Sequence, residues 1–120
     1  MRVASARGVL NAQGVRASRR LLPGEDELEG MEGFFKVLGD STRLRILHAL
    51  LAGELCVGDL SDVLAASLSA VSHQLSVLKA ARLVRHRREG KVVFYSISDD
   101  HVRSVLESMR THLAEGRVRA

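Results

Sequence analysis

The first sustained hydrophobic period in this chain begins at Glu27 and runs through Phe34, Phe35 and Leu38 to Gly39, which predicts a helix that stops at the glycine. Asp40 is a capping residue. Behind it Leu44, Ile46, Leu47, Leu50 and Leu51 recur near helical spacing up to Gly53, predicting a second helix. After Glu54-Leu-Cys-Val-Gly-Asp-Leu60, a third, short helix has Leu60, Val63 and Leu64 on its inner face. Ala66-Ser67 reads as a turn, and Ser69 as the cap of a fourth helix in which Val71, Leu75 and Leu78 recur at intervals of four and three. The pattern then changes to strand chemistry. Arg85-His-Arg-Arg88, a Glu89-Gly90 turn and Val92-Val-Phe-Tyr-Ser-Ile97 predict a β-hairpin. A last helix starts near Asp99 and carries Val102, Val105, Leu106, Met109 and Leu113 before Gly116.

Helix, tight turn and a helix with a polar outer face, followed by a hairpin, describe a mainly α fold with a β-hairpin wing: a winged helix-turn-helix. The apolar stripe on the terminal helix suits a dimer seam, so a homodimer is expected. Residues 1–26 show no period, mix Gly, Ser, Ala and Arg, and end in Leu22-Pro-Gly-Glu-Asp26; they read as a flexible basic arm ahead of one domain at 27–120.

Charge matters by location. The net charge is +4 and the pI near 10.0, yet residues 1–20 hold Arg2, Arg7, Arg16, Arg19 and Arg20 with no acid, while the remaining hundred carry thirteen basic and fourteen acidic residues. A second basic region, Arg82 to Lys91, contains Arg82, Arg85, Arg87, Arg88 and Lys91 against Glu89. Both regions suit phosphate contact. An aromatic content of 3% argues against single-strand binding by base stacking. The lone Cys56 excludes an intrachain disulfide and fits a reducing cytosol, and no apolar run approaches the ~20 residues of a membrane span, so a cytoplasmic protein without a membrane partner is expected. Nucleophile motifs, phosphate loops and HExxH are missing, which argues against an enzyme.

Two groups of residues carry chemistry. Asp99-x-His101 and His112-x-x-Glu115 lie on the terminal helix. Eleven residues advance three turns plus roughly 20°, so His101 and His112 share a face but stand about 16 Å apart along the axis. One helix cannot wrap one ion with all four groups. Two copies crossing antiparallel about a twofold can, with Asp99 and His101 of one chain meeting His112 and Glu115 of the other. Two imidazoles and two carboxylates suit Zn²⁺, with Co²⁺ or Ni²⁺ as substitutes. The bland reading of the same residues is a cap at Asp99 and solvated side chains elsewhere. The second group is the recognition helix and wing: Ser67, Ser69, Ser72, His73 and Gln74 for the major groove, and Arg85, Arg87, Arg88 and Lys91 for phosphates or the minor groove. Against these stands ordinary solvation of a polar helix face. Cys56 reads first as a small buried filler, with an auxiliary metal or redox role, assisted by Asp59, as the alternative. His48 reads as a packed or edge histidine.

With these residues in place, Asp40-Ser-Thr-Arg-Leu-Arg-Ile-Leu, Glu54-Leu-Cys-Val-Gly-Asp-Leu and Ala70-Val-Ser-His-Gln-Leu-x-x-Leu together resemble the ArsR/SmtB family of metal-responsive repressors, from about Phe34 to Glu115. The resemblance implies a winged-helix homodimer on double-stranded operator DNA that loses affinity when metal binds. It also implies a zinc site between paired C-terminal helices, to which Asp99, His101, His112 and Glu115 all correspond. The family's other site uses a thiolate at position 56, sometimes a second Cys two residues on, and arm ligands; here position 58 is Gly and residues 1–47 hold neither Cys nor His. His112 is further expected to relay metal binding to the backbone near Arg82. Competing readings are a zinc-buffering protein with incidental nucleic-acid affinity, and a winged-helix regulator that responds through Cys56 or a partner.

Overall fold

A computed structural model describes residue 8 and residues 10–119, with side chains described through Gly116. The chain divides into two compact units between Glu32 and Gly33. Arg2 and Arg7 of the expected arm lie outside the described residues.

The first unit departs from the sequence expectation, because part of the stretch read as irregular forms a helix, α1 (Ala12–Leu21). The Asn11 side chain accepts a hydrogen bond from the Gly14 amide at 2.8 Å, and Arg19 and Arg20 occupy the last turn, where the helix dipole favours cations. No residue of α1 is buried, which explains why its sequence carries no core stripe. Helix α2 (Glu25–Leu38) opens with Glu25, Asp26 and Glu27, the complementary charge for an N-terminus.

In the second unit the predicted elements follow in order. Asp40 caps α3 (Ser41–Leu50) through a 3.0 Å bond from the Arg43 amide. Strand β1 (Leu55–Cys56) precedes α4 (Val57–Leu64), and α5 (Leu68–Ala80) leads into strands β2 (Val84–Glu89) and β3 (Val92–Ile97) and then α6 (Asp100–Arg119). The sheet is antiparallel with order β1-β3-β2. Glu89 still pairs with Val92, so the hairpin turn is Gly90-Lys91 rather than Glu89-Gly90, with φ +62 at Gly90.

The core is aliphatic. Ile46, Leu47 and Leu50 of α3, Leu60 of α4 and Val71, Leu75 and Leu78 of α5 meet Leu83, Val84, Ile97, Val102 and Leu106. Both ends of the α4–α5 pair are sharp stops. Ala65 and Arg82 adopt left-handed backbone, φ +53 and +62, and each closes a helix: Ala66 N–H bonds Ser61 C=O at 3.1 Å and Leu83 N–H bonds Leu78 C=O at 2.9 Å. These stops set the tight turn into α5 and the exit from α5 into the wing.

Candidate nucleic-acid interface and metal-ligand face

Helix α5 is positioned by its inner stripe and by a polar tie. Its cap is Ser67, whose Oγ accepts from the Ala70 amide at 3.1 Å. This corrects the expectation for Ser69, which stands one turn-position later, exposed, with its Oγ 3.4 Å from that of Ser67. Gln74 is also placed differently. Its Oε1 accepts from Arg43 Nη1 at 3.1 Å, while Arg43 Nε donates to the Val37 carbonyl at 2.8 Å. The amide expected to read bases thus ties α5 to α3 and α2. The exposed face includes Leu68, Ser69, Ser72, His73 and Ser76, with Lys79 exposed in the last turn. Leu68 is 59% exposed, and Ser76 bonds the Ser72 carbonyl at 3.2 Å; neither was singled out in the sequence, although Ser76 is the i+4 neighbour of Ser72.

In the wing, Arg85, Arg88 and Lys91 are exposed. Arg87 is exposed too, but its charge is engaged. Its Nε donates to both oxygens of Glu54 at 2.9 and 3.0 Å, its Nη2 forms an ion pair with the same carboxylate, and its Nη1 reaches Glu89 at 2.8 Å. The guanidinium also lies 4.8 Å over the Phe94 ring. Hydrogen bonding to Arg87 holds the Glu54 carboxyl below its ordinary range, and the two carboxylates raise the arginine further. In this structure Arg87 fastens the wing to the segment before β1, and its side chain remains half exposed. Alternation along β2 puts Arg88 on the opposite face from Arg87.

On α6, Asp99 fulfils the bland reading without losing the other. One oxygen, Oδ1, accepts from the Val102 amide at 3.0 Å as a cap, and the second remains for another partner. His101 has a side chain 97% exposed, with Nδ1 3.7 Å from Asp99 Oδ1. His112 and Glu115 are exposed three residues apart. Among the described residues of one chain, no three His, Cys, Asp or Glu side chains converge as a metal site, and no hydrogen bond joins His112 to the backbone near Arg82. One α6 thus presents two half-sets, Asp99 with His101 and His112 with Glu115, about 16 Å apart by helical rise.

Cys56 is a free, half-buried thiol at the start of α4. Asp59 accepts from its backbone amide at 3.3 Å, a capping role. His48 Nδ1 bonds the Leu44 carbonyl at 2.8 Å, and the ring lines an apolar groove between α3 and α6 with Leu44, Leu106, Met109 and Leu113. No helix of the described residues is long and apolar enough to cross a membrane.

Comparison with known proteins accounts for this arrangement. The family model for "Bacterial regulatory protein, arsR family" matches residues 40–86, from the α3 cap to the wing. The chain is 46% identical over 90 residues to a transcriptional repressor SmtB homolog of Synechocystis, covering 75% of this chain and 68% of that protein. It is similar to the crystal structure of the AntR antimony-specific transcriptional repressor, with TM-score 0.72 and 38% identity over 80% of this chain and 87% of the other. It also resembles the homodimeric winged helix-turn-helix domain of a possible ArsR-family regulator from Mycobacterium bovis, with TM-score 0.72 and 27% identity over 78% and 92%. The chain belongs to the ArsR family of bacterial regulatory proteins, and it is a DNA-binding transcriptional regulator with a winged helix-turn-helix rather than an enzyme.

Proposed function

We propose that this regulator represses transcription as a homodimer on operator DNA and is released when a divalent metal, Zn²⁺ in the first place, joins the two α6 helices. The observation that carries the reading is the pair of exposed half-sets on one helix face, Asp99 with His101 and His112 with Glu115. Similarity to a repressor named for SmtB and to an antimony-specific repressor supports a metal or metalloid as the signal.

The donor chemistry fits. Asp99 keeps one oxygen beyond its cap, His101 is open to solvent on all but its attachment, and a set of two nitrogens and two oxygens is one that zinc accepts as a tetrahedron. Asp99 and His101 would meet His112 of the partner subunit and Glu115 of the partner subunit, twice per dimer. Bound there, the ion supplies a crosslink between subunits. The chain's own parts do the rest. Met109 and Leu113, exposed along α6, form an apolar seam with the partner. Val102 and Leu106 anchor α6 to the core that also seats α5, so a change in the crossing of the α6 helices alters the separation of the two α5 helices. Release requires that the ligand set form better in the low-affinity geometry than on DNA, since equal affinity for both shifts nothing. A coupling of about 1–3 kcal/mol gives a five- to 150-fold loss of affinity.

Equilibrium dialysis tests the site. Wild-type protein is expected to hold two zinc ions per dimer at these residues, and both His101→Ala and His112→Gln are expected to lose them. Undiminished zinc in both variants contradicts the assignment.

A further inference from the structure

From the exposed cationic face of α1 we infer that this helix, outside the winged helix-turn-helix, is a second DNA-contacting element that grips phosphates flanking the operator without reading sequence. Arg16 and Arg20 are one turn apart, and Arg19 lies between them on the same side of the helix. All three are exposed, and among the described residues none has an acidic partner. The chain holds no acid before Glu25, so nothing within α1 offsets their charge.

The remaining features of α1 select among anionic partners. A membrane surface would need a strong apolar face with large side chains. The side of α1 away from the arginines carries Gly14 and Ser18 together with exposed Leu21 and Leu22, but no aromatic residue occurs before Phe34 to anchor that edge at a bilayer interface, and the vesicle measurement below decides that alternative. A duplex asks only for cations at helix spacing and for closeness. The second condition is met by the chain itself, because three residues, Leu22 to Gly24, join α1 to α2. In a molecule already held on DNA by its winged helix, α1 meets phosphate at the high effective concentration of a tethered group. The inference rests on DNA binding by the family fold and not on the metal reading.

The experiment uses the full chain and a mixed-sequence 30-base-pair duplex, with anisotropy measured across a KCl series for wild type, for Arg16→Gln/Arg19→Gln/Arg20→Gln, and for the corresponding triple Lys variant. Circular dichroism confirms helix content in each. Each phosphate contact contributes about 0.9 to the salt slope, so the Gln variant is expected to lose about 2 to 3 in slope per chain, and the Lys variant to retain it. An unchanged slope in the Gln variant overturns the inference, as does an equal loss in the Lys variant, which would mark a structural role. If the Gln variant instead loses binding to phosphatidylserine vesicles, or changes its sedimentation, with its duplex slope intact, α1 serves a membrane or self-association and the inference falls.

Discussion

Helices α5 and α6 both bear histidines on a solvent face, but they are finished differently. The inner stripe of α5, Val71, Leu75 and Leu78, is wholly buried, and its exposed face carries mainly short polar side chains. Helix α6 buries Val102 and Leu106 in its first half and then leaves Met109 49% and Leu113 56% exposed. One helix is completed by its own chain. The other keeps an apolar stripe that a second copy would complete, and the proposed metal ligands run from its cap, Asp99, to Glu115.

The largest effect expected from this contrast is in α5. Leu75→Ala empties a fully buried position and should lower the unfolding free energy by about 3 kcal/mol in urea denaturation. Leu113→Asp tests the other side: a charge on an exposed apolar position spares the monomer's core but should weaken self-association at least about tenfold in sedimentation equilibrium, the equivalent of losing a leucine's burial. If Leu113→Asp leaves association intact, the α6 stripe is not a seam. The turn that orients α5 supplies a gain instead. Ala65 stands at φ +53, so Ala65→Gly should raise the thermal midpoint by the equivalent of about 1 kcal/mol.

The smallest effect concerns the wing. Glu54 has a folded pKa below its unfolded value, so its contribution is fully present above the ordinary carboxylate pKa and is lost as pH falls through the lowered one. Glu54→Gln should therefore lower stability slightly in the neutral range, converge on wild type as the pH falls below about 4.5, and so flatten the acid limb of the profile. A variant with the wild-type acid profile would mean that the Arg87 pair adds nothing to stability.

What the sequence revealed follows from the range of the interactions. The α3 cap at Asp40, the stripes of α3 and α5, the wing and the start of α6 at Asp99 are local patterns, and all are present in the structure. Strand β1 was hidden because two residues, Leu55 and Cys56, are strand only through pairing with Tyr95 and Phe94. Gln74 is held by Arg43, 31 residues away, and Arg87 by Glu54, 33 residues away, so local sequence signals neither contact, and only the Arg87 pair with Glu89 is local. Helix α1 escaped for the opposite reason: it buries nothing, and its order comes from the Asn11 cap and from its helix-forming residues. The spacing of Asp99, His101, His112 and Glu115 along α6 was legible because helical rise fixes it, while any convergence of the four depends on a second chain.

The most direct test of the metal reading is a zinc titration of the regulator bound to DNA from its own promoter, followed by anisotropy in parallel for wild type, His101→Ala and His112→Gln. Zinc should release wild-type protein at least about fivefold more readily than either variant, with all three binding the DNA comparably in its absence. Release of both variants at the wild-type zinc concentration would contradict the account.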